Sequence, residues 1–238
     1  MRKTGLSRYL PATTSILFAA FLSLALPASA SAQESPVDAA IVLAIDVSFS
    51  VDDNEFRQQM QGLGNAFHQA DIKKAIHNGP HGQIAVAAIQ WSDADYQMVI
   101  VPWRIIASDA DADALGTLLS SMPRKLAPGG TSISMALEYS AKLLTEAPPA
   151  DRRIIDVSSD GRNNVGPPVS AIRDELVAKG ITINAVVIMN EWPTLDVYFE
   201  KSVVGGEGHF VIPAHDYIAY ADAIYHKLLR EIIGPGIS

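Results

Sequence analysis

Three short stretches of this chain carry oxygen-bearing side chains at spacings that could do chemistry together. The first is Asp46-Val47-Ser48-Phe49-Ser50. Asp46, Ser48 and Ser50 alternate, so in an extended turn they point the same way. The second is Pro128-Gly129-Gly130-Thr131-Ser132, where paired glycines allow a tight loop that presents the Thr131 hydroxyl. The third is Ser158-Ser159-Asp160-Gly161, an acid followed by a turn glycine. Asp46, Ser48, Ser50, Thr131 and Asp160 together offer two carboxylates and three hydroxyls. That set suits a hard divalent cation, with Mg²⁺ first and Mn²⁺ or Ca²⁺ as alternatives, because Mg²⁺ takes about six oxygens and tends to keep waters. Five side chains leave a position open. With only two carboxylates the cation is not over-neutralised and still attracts an acidic ligand.

Other chemistries find no support. The chain has no cysteine, which excludes thiolate metal sites, cysteine nucleophiles and disulfides. It has no G-x-S-x-G elbow, no G-x-x-x-x-G-K-[ST] loop and no H-E-x-x-H. His77 and His81 are four apart, but Gly79-Pro80 between them forbids a helical pair, so they read as solvated loop residues. Asp52 and Asp53 read as a helix cap and its first-turn charge. Asn163 and Asn164 read as turn formers. Trp192 reads as buried under the next helix, with a partner contact as the alternative. The expectation is a protein without enzymatic activity.

Those loops need strands to hold them. Residues 39–47 (AAIVLAIDV), 84–91 (IAVAAIQW), 154–158 (IIDVS) and 181–188 (ITINAVVI) are apolar runs rich in β-branched residues. Such runs suit strands buried on both faces of a parallel sheet. Residues 96–103 (YQMVIVPW) follow the second strand after too short a gap for a crossover helix, so they predict an antiparallel partner. Pro102 places that partner at the sheet edge. A short last strand is expected over 209–212. Helices are expected over 54–70, 109–122, 132–146, 169–179 and 216–233. The acidic start of the second, Asp109, Asp111 and Asp113, suits the positive end of a helix dipole. In the last helix, Ile218, Ala221, Ile224, Leu228 and Ile232 form the expected apolar stripe. Strands alternating with helices predict an α/β, doubly wound fold: a mostly parallel central sheet, one antiparallel edge strand, and helices on both faces. In such sheets ligands bind beyond the carboxyl ends of the strands, where all three stretches fall.

The N-terminus reads as a leader. Arg2, Lys3 and Arg8 precede an apolar run over 15–26, Pro27 breaks it, and Ala30-Ser31-Ala32 fits the A-x-A cleavage rule. At a rise of about 1.5 Å per residue the run falls short of a bilayer's ~30 Å core. The expected organisation is a cleaved signal peptide over 1–32 and one domain over 33–238. Cleavage takes three positive charges and no negative one, moving the formal charge from −8 to −11. The product is expected to be exported, periplasmic or secreted, a monomer, with no membrane span. The acidic balance, 26 Asp and Glu against 18 Lys and Arg, argues against nucleic acid as a partner.

The five-residue pattern resembles the metal-ion-dependent adhesion site (MIDAS) of von Willebrand factor A domains, to which integrin inserted domains belong. In that family the Ser, Ser and Thr hydroxyls ligate the metal, the two Asp bind directly or through water, and a partner's Glu or Asp completes the shell. All five positions match. More narrowly, LAIDVSFSVDDNE (43–55), GPHGQIAVAAIQW (79–91), GGTSIS (129–134), IIDVSSDGRNN (154–164), GITINA (180–185) and VVGGEGHF (203–210) are similar to an exported bacterial family known as domain of unknown function 1194. The resemblance implies an adhesion or interaction module that binds a protein or peptide carboxylate through its metal. Two alternatives stay open: a metal-dependent hydrolase, and a von Willebrand A scaffold whose metal site is structural or vestigial.

Overall fold

A computed structural model of the chain describes Met1, Gly5 and residues 35–235. The expected leader lies, but for Met1 and Gly5, outside the described residues. The centre of the molecule is β1 (Val37–Asp46), all ten of whose residues are buried. From Ala39 to Ile45 its side chains alternate between two cores, as a strand covered on both faces requires. Ala39, Ile41, Leu43 and Ile45 enter one core. They meet α1 (Asp53–His68), α2 (Ala70–His77), α3 (Asp109–Ser120) and α7 (Tyr220–Ile233) through Phe56, Met60, Ile72, Leu115 and Ile224. Val37, Ala40, Val42 and Ala44 enter the other. There they meet α4 (Ile133–Leu144), α5 (Val169–Ala178) and α6 (Leu195–Ser202) through Leu137, Leu176 and Phe199.

The remaining strands are β2 (Ile84–Trp91), β3 (Gln97–Ile106), β4 (Ala150–Ser159), β5 (Ile181–Ile188) and β6 (Val211–Ala214). The sheet order is β3-β2-β1-β4-β5-β6. Every neighbouring pair is parallel except β2 with β3. The predicted α/β fold, with one antiparallel edge strand, is the observed one. Pro102 lies in edge strand β3, whose register shifts on both sides of Ala88; a residue without an N–H is tolerated there. The strand order departs in opposite directions from β1, so the crevice beyond the β1 and β4 carboxyl ends is the topological switch point. Register fixes its floor: Ile45 pairs with Ser158, which sets Asp46 level with Ser159.

Some boundaries differ from the sequence reading. Gln69 breaks the first helical region in an extended conformation, giving α1 and α2. Helix α6 was not expected. The last strand is 211–214, two residues later than predicted. The last helix begins at Tyr220, so Ile218 lies before it and is 82% exposed. Ala221 is exposed as well, and the buried stripe is Tyr220, Ala223, Ile224, Lys227, Leu228, Glu231 and Ile232. Sequence hydropathy hid it because two of its members are charged.

Candidate metal centre at the switch point

The loop after β1 folds back on its own carboxylate. Asp46 Oδ1 accepts the Ser48 backbone N–H at 2.8 Å, and Oδ2 accepts the Ser159 hydroxyl at 2.6 Å. The Ser48 and Ser50 Oγ atoms lie 3.2 Å apart. Ser50 Oγ donates to Asp160 Oδ1 at 2.7 Å, and Tyr217 Oη donates to Asp160 Oδ2 at 3.0 Å. The glycine loop is drawn in by backbone: Phe49 N–H donates to the Gly129 carbonyl at 3.0 Å. Gly130 N–H donates to Asp93 Oδ2 at 3.0 Å. A Cβ on Gly129 would sit 2.9 Å from the Asp93 Cβ, so the approach requires glycine. A Cβ placed on Gly161 would lie 3.3 Å from Thr131 Oγ1 and 3.9 Å from Ser50 Oγ. Loops from three elements therefore converge on one spot, and all five predicted residues are there.

Burial makes this an expensive place for charge. Asp46 is fully buried and Asp160 is 1% exposed. Burial, then the neighbouring Asp160 charge, pushes Asp46 up to about 7, against hydrogen bonds from Ser159 and Ser48. Asp160 is also raised, by burial first, against the Ser50 and Tyr217 donors. Burial and the two aspartates hold the Tyr217 phenol neutral, hence a donor. Two buried carboxylates with only hydroxyl and amide donors around them, and all-oxygen ligand atoms, fit a hard divalent cation.

Three supporting residues, Ser159, Tyr217 and Gln59, escaped the sequence reading, and two more, Asn163 and Asn164, do more than the turn forming expected of them. Ser159 was readable, since it precedes Asp160 and strand alternation turns it away from Ser158. Tyr217 gave no signal, being 57 residues from the carboxylate it holds. Asn164 Oδ1 accepts the Thr131 N–H at 2.8 Å, and Asn163 Oδ1 accepts the Ser134 N–H at 3.1 Å. The pair expected as turn formers thus clasps the glycine loop and the start of α4. Gln59 donates to the Asp46 carbonyl at 3.1 Å and ties α1 to the site.

Other expectations can now be placed. Asp52 caps α1 in a reciprocal capping box with Glu55, and Asp53 follows in the first turn. Ser108 caps α3, whose acidic first turn is as expected. Trp192 is not buried: it is 46% exposed, and the Arg162 guanidinium lies 5.3 Å from its ring centroid. His77 closes α2 rather than lying in a loop. A second group of ligand-type side chains, Asp38, His81 and Asp151, sits at the opposite end of the sheet, where β1 and β4 begin. There the Asp38 carboxylate accepts the His81 and Gln83 amides at 2.8 and 3.2 Å, which explains it as a loop clasp. Among the described residues no helix is long and apolar enough to cross a membrane.

Solved structures share this fold. The pilus adhesin SpaC of Lactobacillus rhamnosus GG superposes with a TM-score of 0.61 at 15% identity, over 84% of this chain and 31% of its own. A von Willebrand factor type A protein from Catenulispora acidiphila gives 0.55 at 16% identity, over 83% and 43%. Proximal thread matrix protein 1 of the mussel byssus, with a zinc-occupied MIDAS motif, gives 0.56 at 19% identity, over 85% and 48%. The chain thus spans less than half the length of each. No curated protein matches the sequence. The profile of one sequence family covers residues 36–236, and so this chain, a von Willebrand A-type fold, belongs to the family described as "Protein of unknown function (DUF1194)".

Proposed function

We propose that this protein is an exported, metal-dependent binding module. Asp46, Ser48, Ser50, Thr131 and Asp160 hold a divalent cation, Mg²⁺ first, and a Glu or Asp of a partner protein or peptide completes its shell. The observation that carries this reading is the convergence of the Ser50 and Thr131 hydroxyls with Asp160 over Gly161, beside a second buried aspartate. The adhesin and the zinc-occupied MIDAS motif among the structural neighbours support it. When bound, the cation supplies an open coordination position for a carboxylate. The chain's own part is positional. Ser159 and the Ser48 amide orient Asp46. Tyr217 orients Asp160. Asn164 and Asp93 fix the loop that presents Thr131.

The leader over 1–32 belongs to the same proposal, with a mature chain that starts at Gln33 in the periplasm or outside the cell. Calorimetric titration with MgCl₂ and MnCl₂ tests the centre. One cation should bind per chain, and Ser48→Ala should weaken it about tenfold or more, the scale of a lost oxygen contact to a charged group. Absence of binding, or unchanged affinity in Ser48→Ala, refutes it. Metal-dependent turnover of ester or phosphoester substrates, lost in Asp46→Ala, would favour the hydrolase alternative instead.

A further inference from the structure

The rim of the centre has a composition that the metal alone does not explain. Arg162 follows Gly161 and is exposed. Its guanidinium lies 5.3 Å from the Trp192 ring centroid and 5.4 Å from that of Tyr198. One of its nitrogens donates to Thr194 Oγ1 at 3.0 Å. Among the described residues it has no carboxylate partner within 4.0 Å. An arginine held by two aromatic faces and one hydroxyl is pre-organised for bidentate capture of a carboxylate. By contrast, Arg124 at the same edge is spent on the Val47, Val51 and Asp52 carbonyls.

Apolar side chains stand around the same site. Phe49, between the two serines, is 76% exposed, and Ile218, next to Tyr217, is 82% exposed. Apart from Met1 these are the two most exposed large hydrophobic residues described, and Trp192 adds a third at 46%. A lone exposed hydrophobic residue needs no explanation. Three on the loops of one polar site, with an unpaired arginine among them, match a binding surface in which aromatic and arginine anchors dominate. Glu55 and Glu191 place negative charge on the same edge, which confines acid capture to the cation and Arg162.

We propose that this rim takes an extended segment of a partner protein carrying two acidic side chains and an apolar one. One carboxylate completes the cation's shell, the second pairs with Arg162, and the apolar side chain packs on Phe49. This rests on the metal-dependent reading above and adds to it the chemistry of the partner.

The test is selection from a phage-displayed library of short random peptides on the purified protein saturated with Mn²⁺, with elution by EDTA. Eluted peptides should carry two acids and an aliphatic or aromatic residue. The best of them should bind Arg162→Ala about tenfold more weakly. Replacing each acid by its amide in turn should identify one whose loss matters for wild type and adds nothing in Arg162→Ala, the coupling expected of a direct pair. Phe49→Ser should remove the preference for the apolar residue. Arg162 and Phe49 are exposed, so both variants should fold and melt cooperatively, with Arg162→Ala lowered only slightly for its lost Trp192, Tyr198 and Thr194 contacts. Single-acid peptides, additive losses, or no EDTA-eluted peptide from Mn²⁺-saturated protein overturn the rim assignment alone. No heat of Mn²⁺ binding in wild type overturns the metal reading, and the rim assignment falls with it.

Discussion

The two aspartates are buried at a cost to folding. Neither carboxylate has a cationic side chain as its hydrogen-bond partner; serines, a backbone amide and a tyrosine serve instead. Burial opposes both ionised forms, and it is joined at Asp46 by the Asp160 charge and at Asp160 by that of Glu191. Binding sites commonly give up stability in this way. Asp160→Asn should therefore raise the stability of the metal-free protein at neutral pH, since an amide still meets Ser50 and Tyr217 while the buried charge goes. The same variant should abolish the stabilisation by Mn²⁺, which for wild type should reach about 2.7 kcal/mol at a free metal concentration one hundred times Kd. Melting curves with EDTA and with Mn²⁺ check both; a destabilised metal-free Asp160→Asn, or one still stabilised by Mn²⁺, contradicts the argument. At this scale the five predicted residues were legible because each sits in a local pattern of type and spacing. Tyr217 and Arg124 were not, because their partners lie across the fold and nothing in their neighbourhood marks them.

Among the elements, α7 is fastened in an unusual way. Lys227 is fully buried and reaches Asp156 Oδ1 on β4 and Glu231 Oε1 on its own helix, each at 2.6 Å. Asn184 on β5 donates to the same Glu231 oxygen at 2.9 Å. Asp156 Oδ2 and Glu231 Oε2 have no partner among the described residues. One ammonium between two buried carboxylates leaves a negative charge over, and burial, then Asp156, pushes Glu231 up to about 8. Lys227→Met removes the only cation of the group and should cost about 3–5 kcal/mol by denaturant titration, the range for breaking a buried pair. The pH dependence has a definite sign. The folded state holds a proton on Glu231 that the unfolded chain releases above its ordinary 4.5. That contribution is complete below 4.5 and is lost as pH rises through about 8. Relative to Glu231→Gln, which stays neutral, wild-type stability should fall across this window by up to about 1.4 kcal/mol per pH unit. Parallel profiles for the two proteins would contradict the assignment. The helix was predicted, and Ile224, Leu228 and Ile232 of its expected stripe are buried; Ile218 and Ala221 are not, because the helix starts later and its buried face includes Lys227 and Glu231, held by each other, Asp156 and Asn184. Helix α6 was missed for a related reason, since its buried Leu195 and Phe199 are too few to make a period.

At the scale of the whole molecule, charge and site pull in opposite directions. The chain carries a formal charge of −8, and a cleaved leader would leave −11. A divalent cation bound at the switch point would change that only locally, so a partner presenting carboxylates would meet long-range repulsion before it met the metal. This reverses the usual ionic-strength effect. Where partners carry opposite charge, salt screens attraction and slows association. Here salt should screen repulsion, as the Debye length falls from about 30 Å at 0.01 M to about 10 Å at 0.1 M. For a net-acidic peptide on the Mn²⁺-saturated protein, the association rate constant should rise several-fold over that range. Dissociation reports short contacts to the cation and Arg162, inside one Debye length, and should change little. Stopped-flow measurement at constant Mn²⁺ separates the two constants. An association rate that falls with salt would mean that the local field of the cation and Arg162 governs approach, and that the acidic body of the protein does not steer its partner.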